Sequence, residues 1–275
     1  MTLVTHISDP HFGETDPMIA EALLDELNAL KPALIAISGD LTQRGRRRQF
    51  QAARAWLDRL CPPYLVVPGN HDIPLYDVIR RFAAPRERYL HYISSDLGPC
   101  YSDDTIAVVG IDTTKSFTIK HGRITREQAE RTVALLAPYT NHWRIIVAHH
   151  PFDHATGADE VIPLFEAAGV DLVLSGHLHR PKLEDAANRN AHHTMIEVHA
   201  GTCMSTRLRG EPNGYNQLHM DGEHIRIVHR EWKEMRFVDG AEKAYRRDSR
   251  GSERIVKETA PVAAPLRFPQ PAAAR

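Results

Sequence analysis

This sequence of 275 residues has few cysteines, no long apolar run and no excess of charge of either sign. The cysteines Cys61, Cys100 and Cys203 are odd in number and lie far apart without CxxC spacing, so we expect free thiols. No apolar run approaches the roughly 20 residues that span a bilayer, and the N-terminus lacks the basic and apolar regions of a signal peptide. These absences predict a cytoplasmic protein with no membrane partner.

The charge is nearly balanced, since 34 Lys and Arg stand against 35 Asp and Glu. No global positive field is available to hold a nucleic-acid polymer, and we expect none as a partner. Hydrophobic residues make up 42% and charged residues 25%, which excludes a chain that is disordered or fibrous throughout. The 17 histidines are the exception, because a core normally needs fewer. Their positions therefore become the guide to function.

Short runs rich in Val and Ile alternate with amphipathic segments through most of the chain. The runs that predict buried strands cover residues 3–8, 33–38, 64–67, 106–111, 144–148 and 172–175. Apolar residues at helical spacing lie between them, and Thr125 and Gln128 form the capping box of one such helix. Strands that alternate with helices predict a layered α/β fold with largely parallel strands.

The pattern changes after about residue 195, where further strands replace the helices. Asp221-Gly222 joins two of these predicted strands and is a hairpin signal. Beyond about residue 239 the sequence is charged and then rich in Pro and Ala, a composition that buries too little apolar surface to order itself. We therefore expect one domain over residues 1–238 and a flexible tail over residues 239–275.

Side chains of the metal-ligand type follow five of the predicted strands. They are Asp9 and His11, Asp40, Asn70, His149, and finally His177 and His179. The carboxyl ends of strands in an open α/β sheet gather at one edge, where ligand sites form. Two carboxylates, one amide and four imidazoles without a thiolate suit Mn, Fe, Zn or Co. Seven donors are too many for one tetrahedral ion and match two octahedral ions with shared waters.

Each of these elements is weak evidence by itself. A single Asp-x-His or His-x-His pair is common without metal, and the Gly-Asn-His-Asp sequence at residues 69–72 is also typical of a turn. Five such elements in succession, each placed after an apolar strand, are not expected by coincidence. Together they predict a dinuclear metal site.

The same five blocks resemble the calcineurin-like metallophosphoesterase superfamily. The blocks are Asp9-x-His11, Gly39-Asp40, Gly69-Asn70-His71-Asp72, His149-His150-Pro151 and Gly176-His177-x-His179. Within the superfamily the chain is most similar to bacterial class III cyclic-nucleotide phosphodiesterases and related glycerophosphodiesterases. The resemblance implies an αββα sandwich of two mixed β-sheets flanked by helices, with the metal site at the carboxyl edge of the strands.

The resemblance also implies how the ligands divide between two divalent ions. One ion would be held by Asp9, His11, Asp40 and His179. The second would be held by Asn70, His149 and His177, with Asp40 as the bridge between the two ions. Such a pair of ions turns a bridging water into hydroxide near neutral pH and clamps the phosphoryl oxygens, so no Ser or Cys nucleophile is needed.

We therefore expect a metal-dependent phosphodiesterase that hydrolyses small phosphodiesters, with 3′,5′-cyclic nucleotides as candidate substrates. A phosphomonoesterase and a nucleotide-lipid pyrophosphate hydrolase of the same superfamily are alternatives. A non-catalytic scaffold is a further alternative, which the complete ligand set disfavours. The native metal and the oligomeric state, a homo-oligomer included, stay open.

Three residues beside the ligands have less certain roles. His71 adjoins Asn70 and fits a general acid that protonates the leaving oxygen, although a hydrogen-bonded structural role is the alternative. Asp72 is expected to orient a histidine from outside the ligand set. His150 is either a residue that faces the substrate or simply part of a turn.

Arginines supply the remaining candidates for substrate contact, because guanidinium groups bind phosphate bidentately. The candidate substrate-binding residues are Asn70, His71, Arg207, Arg209 and Arg44. Arg44-Gly45 resembles the segment of the protein Ser/Thr phosphatases in which the Arg contacts phosphate, but those proteins have Asp where Gln43 stands.

The ligand pattern generates a first prediction. Purified protein is expected to carry close to two transition-metal ions per chain, and chelation is expected to abolish its turnover of phosphate esters. Elemental analysis after reconstitution with Mn or Zn checks the stoichiometry. One ion or none would remove the dinuclear interpretation.

Overall fold

A computed structural model describes residues 1–118, 120–185, 195–247 and 255–257 of the chain. Its strands are β1 (Thr2–Ile7), β2 (Leu34–Ile37), β3 (Tyr64–Val66), β4 (Cys100–Ser102), β5 (Ile106–Ile111), β6 (Gly122–Arg123), β7 (Trp143–Ala148), β8 (Ala155–Thr156), β9 (Leu172–Ser175), β10 (Lys182–Asp185), β11 (Ile196–His199), β12 (Gly214–Asp221), β13 (His224–Lys233), β14 (Arg236–Arg247) and β15 (Ile255–Lys257). Its α-helices are α1 (Pro17–Leu30), α2 (Arg47–Leu57), α3 (Val78–Ala83), α4 (Glu87–Tyr92), α5 (Arg126–Leu136) and α6 (Ala158–Ala167).

Two mixed sheets form the centre of the fold. The first has the strand order β15-β14-β13-β12-β1-β2-β3, in which β1, β2 and β3 are parallel and the other pairs are antiparallel. The second has the order β10-β11-β9-β7-β5-β4, in which β11, β9, β7 and β5 are parallel. Both sheets therefore carry a parallel centre whose strands end at one edge.

Apolar side chains pack in three successive layers of core. Val4 and Leu174 belong to the layer between the two sheets. On the opposite face of β1, Ile7 packs with Leu23 of α1 in an outer layer. On the far side of the second sheet, residues of α5 and α6 such as Phe165 form the third layer. This arrangement is the αββα sandwich that the resemblance implies, so the expected fold is confirmed.

The predicted central strands and the hairpin are found where the sequence pattern places them. β5 and β9 have the predicted bounds, and Asp221 pairs with His224 across the turn that joins β12 to β13. Thr125 caps α5 by accepting a hydrogen bond from the Gln128 backbone N–H at 3.2 Å. The short strands β4, β6, β8 and β10 are not predicted, because none of them contains a run of Val, Ile or Leu residues.

The first sheet extends beyond residue 238, where we expected the domain to end. β14 pairs with β13 and continues to Arg247, and β15 pairs with β14 in turn. Phe237 and Tyr245 of β14 are buried, whereas most side chains between them are exposed. A strand with so few buried positions has the composition of a charged tail, which explains the difference. Residues 248–254 and 258–275 of the expected tail lie outside the described residues.

Two further expectations concern the cysteines and membrane-spanning segments. Cys61, Cys100 and Cys203 are unpaired, and the last of them is buried. Among the helices described, none combines the length and apolar character needed to cross a membrane. The cytoplasmic location stays a prediction.

Candidate metal centre

The first group of predicted ligands converges in a fully buried pocket. Asp9, His11, Asp40 and His179 each offer a donor atom, and these atoms lie within 4.8 Å of one another. The Nε2 atoms of His11 and His179 are 3.0 Å apart. Oδ1 of Asp9 is 3.2 Å from His179 Nε2 and 3.5 Å from His11 Nε2. Three donors therefore point at one small volume.

The second group lies directly beside the first and meets it at Asp40. Oδ1 of Asn70 is 2.9 Å from His149 Nε2 and 2.9 Å from His177 Nδ1. One carboxylate oxygen of Asp40 is 3.4 Å from His149 Nε2, and the other is 3.9 Å from His11 Nε2. Asp40 thus faces both groups, as a bridging ligand must.

The residues present fit a pair of divalent cations. Oδ1 of Asp9 is buried and has no hydrogen-bond partner among the described residues, although two imidazole nitrogens face it. A buried carboxylate oxygen requires a cation or a donor, and carboxylate and imidazole donors together suit divalent transition metals. All seven sequence-predicted ligands are brought together; that they bind metal stays a prediction.

Backbone carbonyls orient three of the imidazoles. The bonds run from His149 Nδ1 to Ser38 O at 2.7 Å, from His179 Nδ1 to Arg207 O at 3.1 Å, and from His177 Nε2 to Lys120 O at 3.0 Å. Because a carbonyl only accepts, each of these nitrogens carries the proton. With a cation bound, the other nitrogen of each ring would present its lone pair to the centre, as ligand histidines require.

Five of the seven predicted ligands adopt a left-handed backbone conformation. The φ angles are 51° for Asp9, 48° for His11, 51° for Asp40, 69° for His177 and 57° for His179. This region costs residues with a Cβ roughly 1–2 kcal/mol each, and such conformations persist where the surrounding structure determines them. Backbone hydrogen bonds from Asp9 N to Gly39 O and from His11 N to Asp40 O hold the first two turns in place.

The two carboxylates stay ionised despite their burial. Burial favours a higher pKa for Asp9, but the facing imidazoles of His11 and His179 outweigh it and hold this pKa well below its ordinary value. Burial also opposes ionisation of Asp40, and the charge of His149 lowers the pKa of Asp40 in spite of it. Conversely, Asp40 raises the pKa of His149 to about 9 against the effect of burial. The pocket therefore attracts positive charge strongly.

Two glycines allow the backbone to approach the carboxylates. A Cβ at Gly69 would lie 2.1 Å from Asp40 Oδ1. A Cβ at Gly176 would lie 1.8 Å from Ser8 Oγ and 2.5 Å from Asp9 Oδ2. Neither contact is physically possible, so only glycine fits between the strand ends at these two positions.

His71 lies at the edge of the centre, outside both groups of ligands. Its Nδ1 donates to Gln43 O at 2.7 Å, and its backbone N–H donates to Asp40 Oδ1 at 2.8 Å. The ring stands edge-on to that of His11, with 5.0 Å between centroids. The ring is thus held through Nδ1, which leaves Nε2 for another partner.

Asp72 differs from our expectation, because its described partners are not histidines. Its carboxylate accepts from the backbone N–H groups of Leu41, Thr42 and Gly69 at 3.1, 2.8 and 2.9 Å. Burial and the neighbouring charge of Asp40 raise the pKa of Asp72 to about 7. Asp72 therefore ties the turn after β2 to the turn after β3, and the expected histidine-orienting role was wrong.

The three predicted arginines differ in how closely they are connected to the centre. Nη1 of Arg207 donates to Gln43 Oε1 at 3.1 Å. Gln43 is also the residue whose backbone carbonyl accepts a hydrogen bond from His71. Arg44 donates to the hydroxyl of Tyr76 at 2.8 Å and lies 5.2 Å from the centre of that ring. Arg209 is exposed on the loop that carries Arg207. Arg207 is thus the arginine linked to the centre through both its backbone and its side chain.

Several residues that support the centre were not predicted. Ser38 and Lys120 act through backbone carbonyls, which leave no signature in the side-chain sequence. Ser8 donates to Asp9 Oδ2 at 2.6 Å, and its position before Asp9 was the available signal. His150 is fully buried rather than exposed to substrate, and burial lowers its pKa to about 2.

An αββα sandwich with such donors at the strand ends defines a metallophosphoesterase. The sequence model of the calcineurin-like phosphoesterase family matches residues 2–181, and the chain belongs to this family. A purple acid phosphatase from yellow lupin has the same fold, with a TM-score of 0.66 at 14% identity over 90% of this chain and 54% of that one.

Two curated relatives carry more specific names. The chain is 38% identical over 81 residues to the glycerophosphodiester phosphodiesterase GpdQ of Enterobacter lignolyticus, a match that covers 26% of this chain and 29% of that protein. It is 25% identical over 174 residues to a probable cyclic nucleotide phosphodiesterase of Synechococcus sp., which covers 58% of this chain and 63% of that protein. The matches thus span less than two thirds of each relative's length.

The close approach at Gly69 generates a second prediction. Gly69→Ala is expected to displace Asp40 and to reduce the metal content by at least one ion per chain, because Asp40 faces both groups of ligands. Gly201→Ala is the control, since its Cβ would approach no atom closer than 3.3 Å. Elemental analysis of both folded variants after reconstitution measures the effect. Retention of two ions by Gly69→Ala would contradict the bridging role of Asp40.

Proposed function

We propose that this chain is a dinuclear metal-dependent phosphodiesterase that hydrolyses small phosphodiesters, 3′,5′-cyclic nucleotides among them. The observation that carries the proposal is the position of Asp40, whose two oxygens face His149 at 3.4 Å and His11 at 3.9 Å. Two sets of donors that share a carboxylate are what a two-ion hydrolase needs. The names of the two curated relatives support a diester as the substrate.

The residues around the centre have separable tasks in this proposal. Two bound divalent ions would supply an activated water near neutral pH and positive charge against the phosphoryl oxygens. The carboxylates and oriented imidazoles described above hold those ions. Asn70 lies at the junction of His149 and His177, and we assign it a contact with the substrate as well. No cysteine is required, and burial raises the pKa of Cys203, which keeps that thiol protonated.

His71 is the proposed general acid. The Gln43 carbonyl holds Nδ1–H and so fixes the orientation of the ring. Nε2 is then the atom that delivers a proton to the departing ester oxygen, since general acids act within hydrogen-bond reach of the leaving group. We assign the contact with the phosphoryl group to Arg207, whose guanidinium donates to Oε1 of the same Gln43. We assign Arg44 and the exposed Arg209 to more peripheral contacts with substrate.

A phosphomonoesterase is the second candidate. A monoester dianion requires more fixed positive charge than a diester monoanion, and Arg207 is the cation beside Gln43 that favours this candidate. The protein ligands of the centre nevertheless add no positive charge, because Asp9 and Asp40 are anionic carboxylates and metal-bound imidazoles are neutral, so the diester is preferred. A nucleotide-lipid pyrophosphate hydrolase stays an alternative within the same superfamily.

Substrate preference generates the third prediction. We expect manganese-loaded protein to have a higher kcat/KM for bis-nitrophenyl phosphate than for mono-nitrophenyl phosphate, and to hydrolyse 3′,5′-cyclic AMP measurably. Duplex DNA is expected to remain intact, because a chain with a formal net charge of −1 has little grip on a polymer. A parallel assay of the four substrates tests this. Preference for the monoester would replace the phosphodiesterase proposal by the second candidate.

The fourth prediction separates chemistry from metal binding at His71. His71→Ala is expected to keep both ions, because His71 belongs to neither group of ligands, and to lose roughly 10²–10⁴ in kcat as is usual for general acids. The loss should be smaller for a nitrophenolate leaving group, which needs little protonation. The control is His91→Ala, an exposed histidine of α4. Loss of metal from His71→Ala would assign His71 a supporting role instead.

A further inference from the structure

His150 is a buried imidazole that touches the centre without belonging to the predicted ligand set. Its exposure is 1%, and its ring centroid lies 4.9 Å from that of His149 and 4.5 Å from that of His177. On its other side, Gly122 approaches so closely that a Cβ there would lie 2.7 Å from the ring. The ring is therefore confined between Gly122 and the two ligand histidines.

The two nitrogens of His150 have different surroundings. Nδ1 is 2.8 Å from Thr113 Oγ1, and the same hydroxyl accepts the backbone N–H of His150 at 3.2 Å. Nε2 is buried and has no hydrogen-bond partner among the described residues. A buried polar atom left unpaired costs roughly 1–3 kcal/mol. Something other than the described side chains is therefore expected to satisfy Nε2.

The tautomer of His150 follows from whether each neighbouring atom can donate or accept a hydrogen bond. A threonine hydroxyl has two acceptor lone pairs, so Thr113 Oγ1 can receive both the backbone N–H and Nδ1–H of His150. With the proton on Nδ1, Nε2 carries a lone pair. The reverse tautomer would bury an Nε2–H donor with no acceptor. The first tautomer is the one that a metal ligand requires.

The positions of the neighbouring donors point to a cation as the missing partner. His149, His150 and His177 each offer a nitrogen, and these three atoms lie within 4.8 Å of one another. Donor atoms on an octahedral ion with bonds of about 2.1 Å are about 3.0 Å apart when adjacent and about 4.2 Å apart when opposite. The three nitrogens are therefore close enough together that modest side-chain shifts would bring them onto one ion.

We propose that His150 Nε2 is an additional ligand to the ion that His149 and His177 hold. This inference rests on the proposed dinuclear centre and adds a residue to it. The two halves of the centre then differ in chemistry, because one half has the Asp9 carboxylate with two imidazoles and the other has three imidazoles with Asn70, while Asp40 faces both. Imidazole-rich sites favour Zn, Co or Fe, whereas carboxylates favour harder ions such as Mn.

Metal titration of two isosteric variants tests the proposal. His150→Asn keeps a polar atom near the position of Nδ1 for Thr113 but removes the donor at Nε2, whereas His150→Gln places an amide oxygen near the position of Nε2. We expect His150→Asn to weaken the binding of one of the two ions by at least about 10-fold, and His150→Gln to weaken it less. Calorimetric titration of metal-free protein with Zn²⁺ or Co²⁺ measures both affinities without any turnover assay.

The matched control is His154→Asn, because His154 is a nearby histidine whose side chain is 37% exposed and whose ring lies 6.3 Å from that of His177. It is expected to bind both ions as the wild type does. The absorption bands of the Co²⁺-loaded proteins give a second readout, which should change in His150→Asn and not in His154→Asn.

The outcomes distinguish this inference from the proposed function. Unchanged affinities and unchanged Co²⁺ bands in His150→Asn would make His150 a structural residue and overturn the inference, while the two-ion centre would stand. Failure of the wild type itself to bind two ions would overturn the proposed function. If His150→Asn does not fold, the comparison of His150→Gln with the wild type decides, since loss of a nitrogen donor must still alter the Co²⁺ bands.

Discussion

The burial of two carboxylates at the edge where the sheets meet is the constraint on which the rest of the structure depends. Asp9 and Asp40 are 0% and 1% exposed, and both stay ionised. An ionised carboxylate in a low-dielectric interior is stable only when positive charge or donors surround it. The converging imidazoles, the Ser8 hydroxyl and the proposed pair of divalent ions all meet this requirement.

The backbone of the fold also helps to bury the two carboxylates and to surround them with donors. The parallel strands of both sheets end together, and short turns after them enter left-handed conformations that aim the donors inward. Asp72 joins two of these turns through backbone N–H groups, and Gly69 and Gly176 leave room for the carboxylates. Local conformational strain is thus concentrated at the centre and balanced by the apolar core beneath it.

Some features escaped sequence-based prediction for identifiable reasons. β14 was assigned to a tail, because a strand at the end of a sheet buries only positions such as Phe237 and Tyr245 and looks charged overall. The role of Asp72 was misjudged, since sequence proximity to His71 does not show which groups its carboxylate faces. His150 was left undecided, because it follows the end of β7, where no regular period fixes the direction of a side chain.

The α/β layering and the set of seven donor residues were determined by the sequence itself. The spacing of apolar residues and the type of each residue are local properties that can be read along the chain. Five polar blocks after apolar strands were sufficient to place Asp9, His11 and their five partners at one edge. Only the tertiary structure decided which oxygen of Asp40 faces which histidine and that Gln43 holds both His71 and Arg207. It also decided that the second nitrogen of His150 has no hydrogen-bond partner within the described part of the chain. Those relations join residues distant in sequence, and they depend on strand register, turn conformation and burial, which only the folded chain defines.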